Sequence, residues 1–126
     1  IGIGPYASKK DEIFEIWKKD ITQLAKHTNV CAKLGGLAMP INGYEFHKQK
    51  LPPTSDQIVN SQRRYYDYLI SCFGPERCMF ESNFPVDKQS ASYNIIWNAF
   101  KKMSSGHTNS DKDLMFFNTA ESFYKL

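Results

Sequence analysis

Arg77 to Lys88 reads Arg-Cys-Met-Phe-Glu-Ser-Asn-Phe-Pro-Val-Asp-Lys, an apolar run that breaks abruptly into polar residues and then a proline. This is the pattern of a buried strand that delivers side chains to a site. Successive strand side chains point to opposite faces, so Cys78, Phe80 and Ser82 share one side and Met79, Glu81 and Asn83 the other. One face therefore carries a carboxylate and an amide in file. A carboxylate in so apolar a strand is costly unless it is paired or hydrogen-bonded, so Glu81 requires a partner or a chemical role.

The segments on either side fix the context of that strand. Upstream, Gly74-Pro75 ends a helix that opens at Thr54 or Ser55 and carries Ile58, Val59, Tyr65, Tyr66, Leu69 and Cys72 at helical spacing. A long loop from Gly36 to Pro53 precedes it, holding Pro40, Asn42-Gly43, Tyr44, Phe46 and His47; loops of this length in compact domains tend to be functional. Before the loop, Asn29 to Gly35 is a second strand, with Val30, Ala32 and Leu34 on one face and Cys31, Lys33 and Gly35 on the other. Earlier still, Ile1 to Ala7 reads as a loop. Ser8 is the expected N-cap of a helix running to about His27, with Ile13, Phe14, Ile16, Trp17, Ile21, Leu24 and Ala25 as its apolar stripe. Downstream, Ser90 or Ser92 opens a third helix, and a last helical segment is expected to break near Asn118-Thr119.

The order is helix, strand, helix, strand, helix, helix. Two strands joined through one helix form a βαβ unit, which makes them parallel, adjacent and covered by helices. Two strands are too few for a self-sufficient sheet, and the chain starts at Ile1-Gly2 without an initiator Met, so their partners are expected upstream.

The 126 residues are 41% hydrophobic and 14% aromatic, the composition of a globular domain with a core. The net charge of +3 is spread over pairs such as Lys18-Lys19, Arg63-Arg64 and Lys101-Lys102 on helix surfaces, which reads as solvated faces rather than a nucleic-acid footprint. No apolar run approaches the ~18 residues of a membrane span and no leader is visible, so no membrane partner and a cytoplasmic location are expected. Cys31, Cys72 and Cys78 form no Cys-x-x-Cys pair and read as buried reduced thiols.

Three stretches carry a resemblance: Asn29-Val-Cys-Ala-Lys-Leu-Gly-Gly-Leu37, Phe73-Gly-Pro-Glu-Arg-Cys-Met-Phe-Glu-Ser-Asn-Phe-Pro-Val86 and Asn118-Thr-Ala-Glu-Ser-Phe-Tyr-Lys-Leu126. Together, in this order and spacing, they resemble the C-terminal part of the amidohydrolase-related (amidohydrolase 2) family, TIM-barrel hydrolases that include sugar and dicarboxylate lactonases. The resemblance implies an α/β fold in which residues 1–126 are the C-terminal part of one (β/α)8 TIM barrel, with Asn29 to Gly35 and Arg77 to Ser82 as its last two parallel strands. Active sites of such barrels lie at the C-terminal strand ends, here Gly35 to Leu37, the loop with His47, and Ser82 to Lys88. The family motif on the last strand is usually Gly-Ser-Asp-Trp-Pro, whose Asp binds metal or activates water. Asn83 stands at that position, and an amide cannot accept a proton at neutral pH. The family's histidine ligands would lie before Ile1, so this chain alone is expected to hold no metal or other cofactor; a divalent, zinc-like ion would belong to the full-length parent.

Glu81 lies where the motif has Gly, ~6 to 7 Å from Asn83 along the strand. Lys33 is its expected partner, the two forming a buried ion pair beneath Asn83 that either serves as base and substrate anchor or merely neutralises itself. Asp87 either replaces the missing carboxylate or caps the helix beginning near Ser90. The expectation is a hydrolase of a small cyclic ester or amide such as a lactone, with Asn83, Glu81 and Asp87 as catalytic candidates and Lys33, His47 and Ser82 as substrate contacts. The fragment alone would be inactive. The alternative is a non-catalytic barrel fragment used for binding or assembly, whose open apolar edges would favour a homo-oligomer.

Overall fold

Ala32–Leu34 (β1) and Cys78–Phe80 (β2) pair in parallel, Ala32 opposite Cys78, Lys33 opposite Met79 and Leu34 opposite Phe80. These coordinates are a computed structural model and describe residues 4–126. Both strands are shorter than the sequence suggested. One further ladder bond, Glu81 N–H to Leu34 O at 3.3 Å, closes the sheet at its C-terminal end. Gly36, at φ 78°, then turns the chain away in the left-handed region that favours glycine.

The connection between the strands is the helix Ser55–Phe73 (α2). Thr54 caps it: its side chain accepts from Gln57 N, and Gln57 Oε1 accepts from Thr54 N at 2.8 Å, a reciprocal capping box. The helix stops at Gly74, again with positive φ. Helix Tyr93–Met103 (α3) is capped by Ser92. It packs beside α2, so that Ile58, Tyr66, Ile96 and Phe100 meet Leu34, Cys78 and Phe80 in one core. Phe80 is central there, its ring 4.9 Å from Phe100 and 4.7 Å from Phe116. Burying a side chain of this size contributes roughly 1.5–3 kcal/mol.

The C-terminal segment is continuous rather than broken. Asn109–Asp113 (α4) passes through a π-helical turn, Leu114–Asn118, into Thr119–Tyr124 (α5). The extra residue in that wider turn seats Met115 fully inside the core and Phe116 against Phe80. At the other end, Lys10–Leu24 (α1) grows directly out of a 3₁₀ turn, Gly4–Lys9. The expected Ser8 cap is therefore not used: the N-cap is Lys9, without a side-chain bond, because the preceding turn already delivers the chain in helical form. Where a loop was expected from Ile1 to Ala7, residues from Gly4 onward are 3₁₀-helical; Ile1 to Ile3 lie outside the described residues. The α1 stripe is also narrower than its spacing implied, with Ile16 and Leu24 exposed. Phe14 and Trp17 carry the packing, against Tyr65 and Tyr68.

Arg77 locks these layers together. Its guanidinium donates to the carbonyls of Phe73 (3.0 Å), Ala25 (3.1 Å), His27 (3.0 Å) and Val30 (3.4 Å), satisfying orphan oxygens where α1 and α2 end. Behind it Cys78 is fully buried, and its desolvated thiol is pushed up to about 12. Cys31, Cys72 and Cys78 are all free, but only Cys78 is buried as expected; Cys31 and Cys72 are partly exposed. No helix among the described residues is long and apolar enough to cross a membrane.

Candidate functional site

Strand alternation sends Leu34, Cys78 and Phe80 toward the helices, so Lys33, Met79 and Glu81 occupy the opposite face. There Lys33 Nζ lies 3.5 Å from Glu81 Oε2. The expected pair exists, but it is not a buried one: the lysine side chain is 53% exposed and the glutamate 21%. Met79 on the same face is buried, but the lysine is more than half exposed, so water reaches its ammonium group.

Two glycines shape the space around Glu81. A Cβ on Gly35 would press on the Glu81 carbonyl oxygen and come within 2.5 Å of Glu81 Oε1, so only glycine lets the end of β1 approach so closely. A Cβ on Gly36 would stand 3.0 Å from the Asn83 amide. Asn42, buried in the following loop, donates to Gly36 O at 2.7 Å and ties that loop to the strand end.

Asn83 links the remaining groups. With its nitrogen turned to the carboxylate, its amide donates to Glu81 Oε2 at 3.0 Å and Oε1 at 3.3 Å. The other end of the amide lies 3.2 Å from Met39 Sδ. Its backbone N–H donates to Asp87 Oδ2 at 2.7 Å, and Asp87 N–H returns a bond to Asn83 O at 3.1 Å. Carboxylate, amide and second carboxylate are thus chained through Asn83.

Asp87 is only 1% exposed and does not cap α3, a role taken by Ser92. Its chain folds back so that one carboxyl oxygen meets Asn83 N–H while Oδ1 is buried without a partner. Burial raises its pKa above the ordinary carboxylate value, and the Asn83 N–H opposes that only in part. The nearby Tyr66 hydroxyl, buried beneath and met by the Leu37 amide, is likewise pushed up by desolvation.

The other sequence candidates are more loosely placed. Ser82 is half-buried between Glu81 and Asn83. His47 is exposed and lines a separate cleft of ≈ 550 Å³ between the 46–52 loop and the 84–93 segment. Glu81 and Asn83 do not line that cleft, which adjoins them through Phe84. Met39 and Asn42 were not singled out by the sequence reading, which placed Gly35 to Leu37 at the site but not the close approach of Gly35 to Glu81. The Gly35-Gly36 doublet at a strand end was the available signal for a close approach.

A parallel βαβ unit whose polar groups gather at the C-terminal strand ends defines an α/β protein of the kind in which sites are built on strand termini. The chain belongs to the amidohydrolase family, whose model matches residues 3–126. It is 40% identical over 113 residues to the protein y4mH of Sinorhizobium fredii, covering 90% of this chain and 34% of that relative. It thus spans about a third of that relative's length. The fold is similar to the crystal structure of an amidohydrolase from Burkholderia multivorans with bound zinc, at TM-score 0.74 and 22% identity over 87% of this chain and 37% of that one. A second crystal form of that enzyme, with bound HEPES, matches equally.

The zinc in that neighbour raises the question of whether these residues fit a metal. Glu81 is engaged by Lys33 and Asn83, Asp87 is folded onto Asn83 N–H, and no group of three or more His, Cys, Asp or Glu side chains among the described residues is close enough to hold an ion. The donor set of the described residues does not by itself make a metal site.

Proposed function

We propose that residues 1–126 are the C-terminal part of a (β/α)8 barrel whose full-length parent hydrolyses a small cyclic ester or amide, a lactone being the leading case. The observation that carries this reading is the Glu81 carboxylate held by the Asn83 amide at the C-terminal end of β2, in a chain of the amidohydrolase family. Glu81 takes a proton from the attacking water, whose oxygen bonds to the acyl carbon. The ring C–O or C–N bond then breaks and its heteroatom recovers the proton. Asn83 supplies orientation rather than basicity: it fixes the carboxylate and leaves amide capacity for a water or a substrate carbonyl. Asp87 acts through Asn83, setting the turn that aims it. Lys33 holds the Glu81 carboxylate in place, while Ser82 and His47 are substrate contacts at the rim. Any metal would draw its ligands mainly from outside this chain, and the chain alone would be inactive.

The decisive experiment replaces Glu81 by Gln in the full-length protein and assays a lactone panel. General-base catalysis is typically worth 10²- to 10⁴-fold, so a loss on the order of 10²-fold or more in kcat is expected. Undiminished turnover would remove Glu81 from the chemistry. A second reading, a binding or assembly module, is favoured by the apolar surface of Phe117, Phe123, Tyr124 and Leu126, all exposed along the C-terminal segment. Self-association abolished by Phe117→Ser, together with an inactive full-length protein, would select it.

A further inference from the structure

The cleft beside the Glu81–Asn83 pair has two chemically distinct parts. Its body is apolar, with Phe84 and Tyr93 set edge to face at 5.2 Å and Phe46 and Pro52 opposite. Tyr93 is half exposed, so its ring is available to a ligand. The rim is cationic: Lys50 and Lys88 both line the cleft, and no Asp or Glu does. Neither lysine forms an ion pair among the described residues, whereas Lys48, just outside the cleft, is taken by Glu45 at 2.6 Å. Asp87 precedes Lys88 in sequence, but its carboxylate is buried and bonded to Asn83 N–H, so it does not neutralise the rim.

We infer that this cleft binds a small organic anion, a carboxylate or sulfonate borne on a flat apolar ring, with the ring against Phe84 and Tyr93 and the charge at Lys50 and Lys88. The volume lies within the range that encloses a small molecule. Two unpaired ammonium groups beside aromatic faces match an anion on a ring better than a neutral polyol, which would leave the rim charges uncompensated. In calling that anion part of the substrate, the inference rests on the hydrolase reading; the binding itself does not.

The test is direct binding by calorimetry to the full-length protein, with 1-naphthoate as the anionic probe and 1-naphthamide as its neutral counterpart. Naphthoate is expected to bind more tightly. Replacing both lysines (Lys50→Gln with Lys88→Gln) is expected to weaken naphthoate about tenfold, as loss of a charge-assisted contact does, and to leave naphthamide unchanged. Equal affinities for the two probes, or naphthoate binding indifferent to the double replacement, overturn the assignment. Both lysines are exposed, so the variants should keep the fold, which circular dichroism checks. The Glu81→Gln protein separates the two proposals. Lactone turnover undiminished by Glu81→Gln, with naphthoate still bound normally, would sink the hydrolase reading of Glu81 and leave the anion cleft standing.

Discussion

Lys33 Nζ and Glu81 Oε2 face each other at 3.5 Å across a parallel strand pair. Because the lysine is more than half exposed, solvent screens the attraction, and pairs of this kind contribute about 0–1 kcal/mol. Lys33→Met is therefore expected to shift the urea midpoint by no more than that small amount. A loss of several kcal/mol would mean that the pair is desolvated by something outside the described residues.

Gly35 makes the opposite prediction. The methyl group of Gly35→Ala would meet the Glu81 backbone oxygen and carboxylate, and the backbone oxygen cannot swing aside. Either β1 or Glu81 moves, at a cost typical of overpacking, about 1–3 kcal/mol. Function should suffer more than stability, since a displacement near 1 Å at a positioning group can cost on the order of 10²-fold in rate. Lactone turnover in parallel with a denaturation curve separates the two effects; an active, destabilised variant would show that Glu81 tolerates the shift.

Arg77 is the side chain on which the ends of α1 and α2 converge. Truncating it in Arg77→Ala strands the carbonyls of Ala25, His27, Val30 and Phe73, and a loss of roughly 2–4 kcal/mol is expected. Arg77→Lys should recover little, because an ammonium group cannot reproduce the planar fork that reaches Phe73 O and Ala25 O at once. Thermal unfolding of the two variants gives the comparison, and near-complete rescue by lysine would refute the fork argument.

What the sequence made legible is what local chemistry determines. A helix start at Thr54 or Ser55, the Gly74-Pro75 stop, a helix start at Ser90 or Ser92 and the parallel order of the strands follow from signals within a few residues, and the structure bears them out, choosing Thr54 and Ser92 as the caps. The features that were not legible depend on approaches between distant segments. The exposure of Lys33 depends on what lies over the sheet, which no spacing encodes. The need for glycine at position 35 appears only once Glu81 is brought beside it. The wide turn at Leu114–Asn118 is hidden because Leu-Met-Phe-Phe is apolar on every side, so its periodicity does not distinguish a break from a bulge. The burial of Asp87 was missed for a related reason: a carboxylate after a Pro turn looks solvated until the chain folds it back onto Asn83 N–H.

That fold-back gives a pH signature. Burial raises the Asp87 pKa in the folded protein above the unfolded value of 3.8, so the native state favours the neutral acid. A group with a raised native pKa contributes stability that is fully present below the unfolded pKa and is lost as pH rises through the native one. Asp87→Asn keeps an oxygen acceptor for Asn83 N–H and cannot ionise. Its stability relative to the unaltered protein should therefore improve as pH is raised from about 3 toward neutrality, because only the unaltered protein must then hold a buried charge whose Oδ1 has no partner. Urea unfolding of both proteins across that window measures the difference. If the variant instead loses ground as pH rises, the bond from Asn83 N–H outweighs desolvation, and Asp87 is an ionised carboxylate in the folded chain.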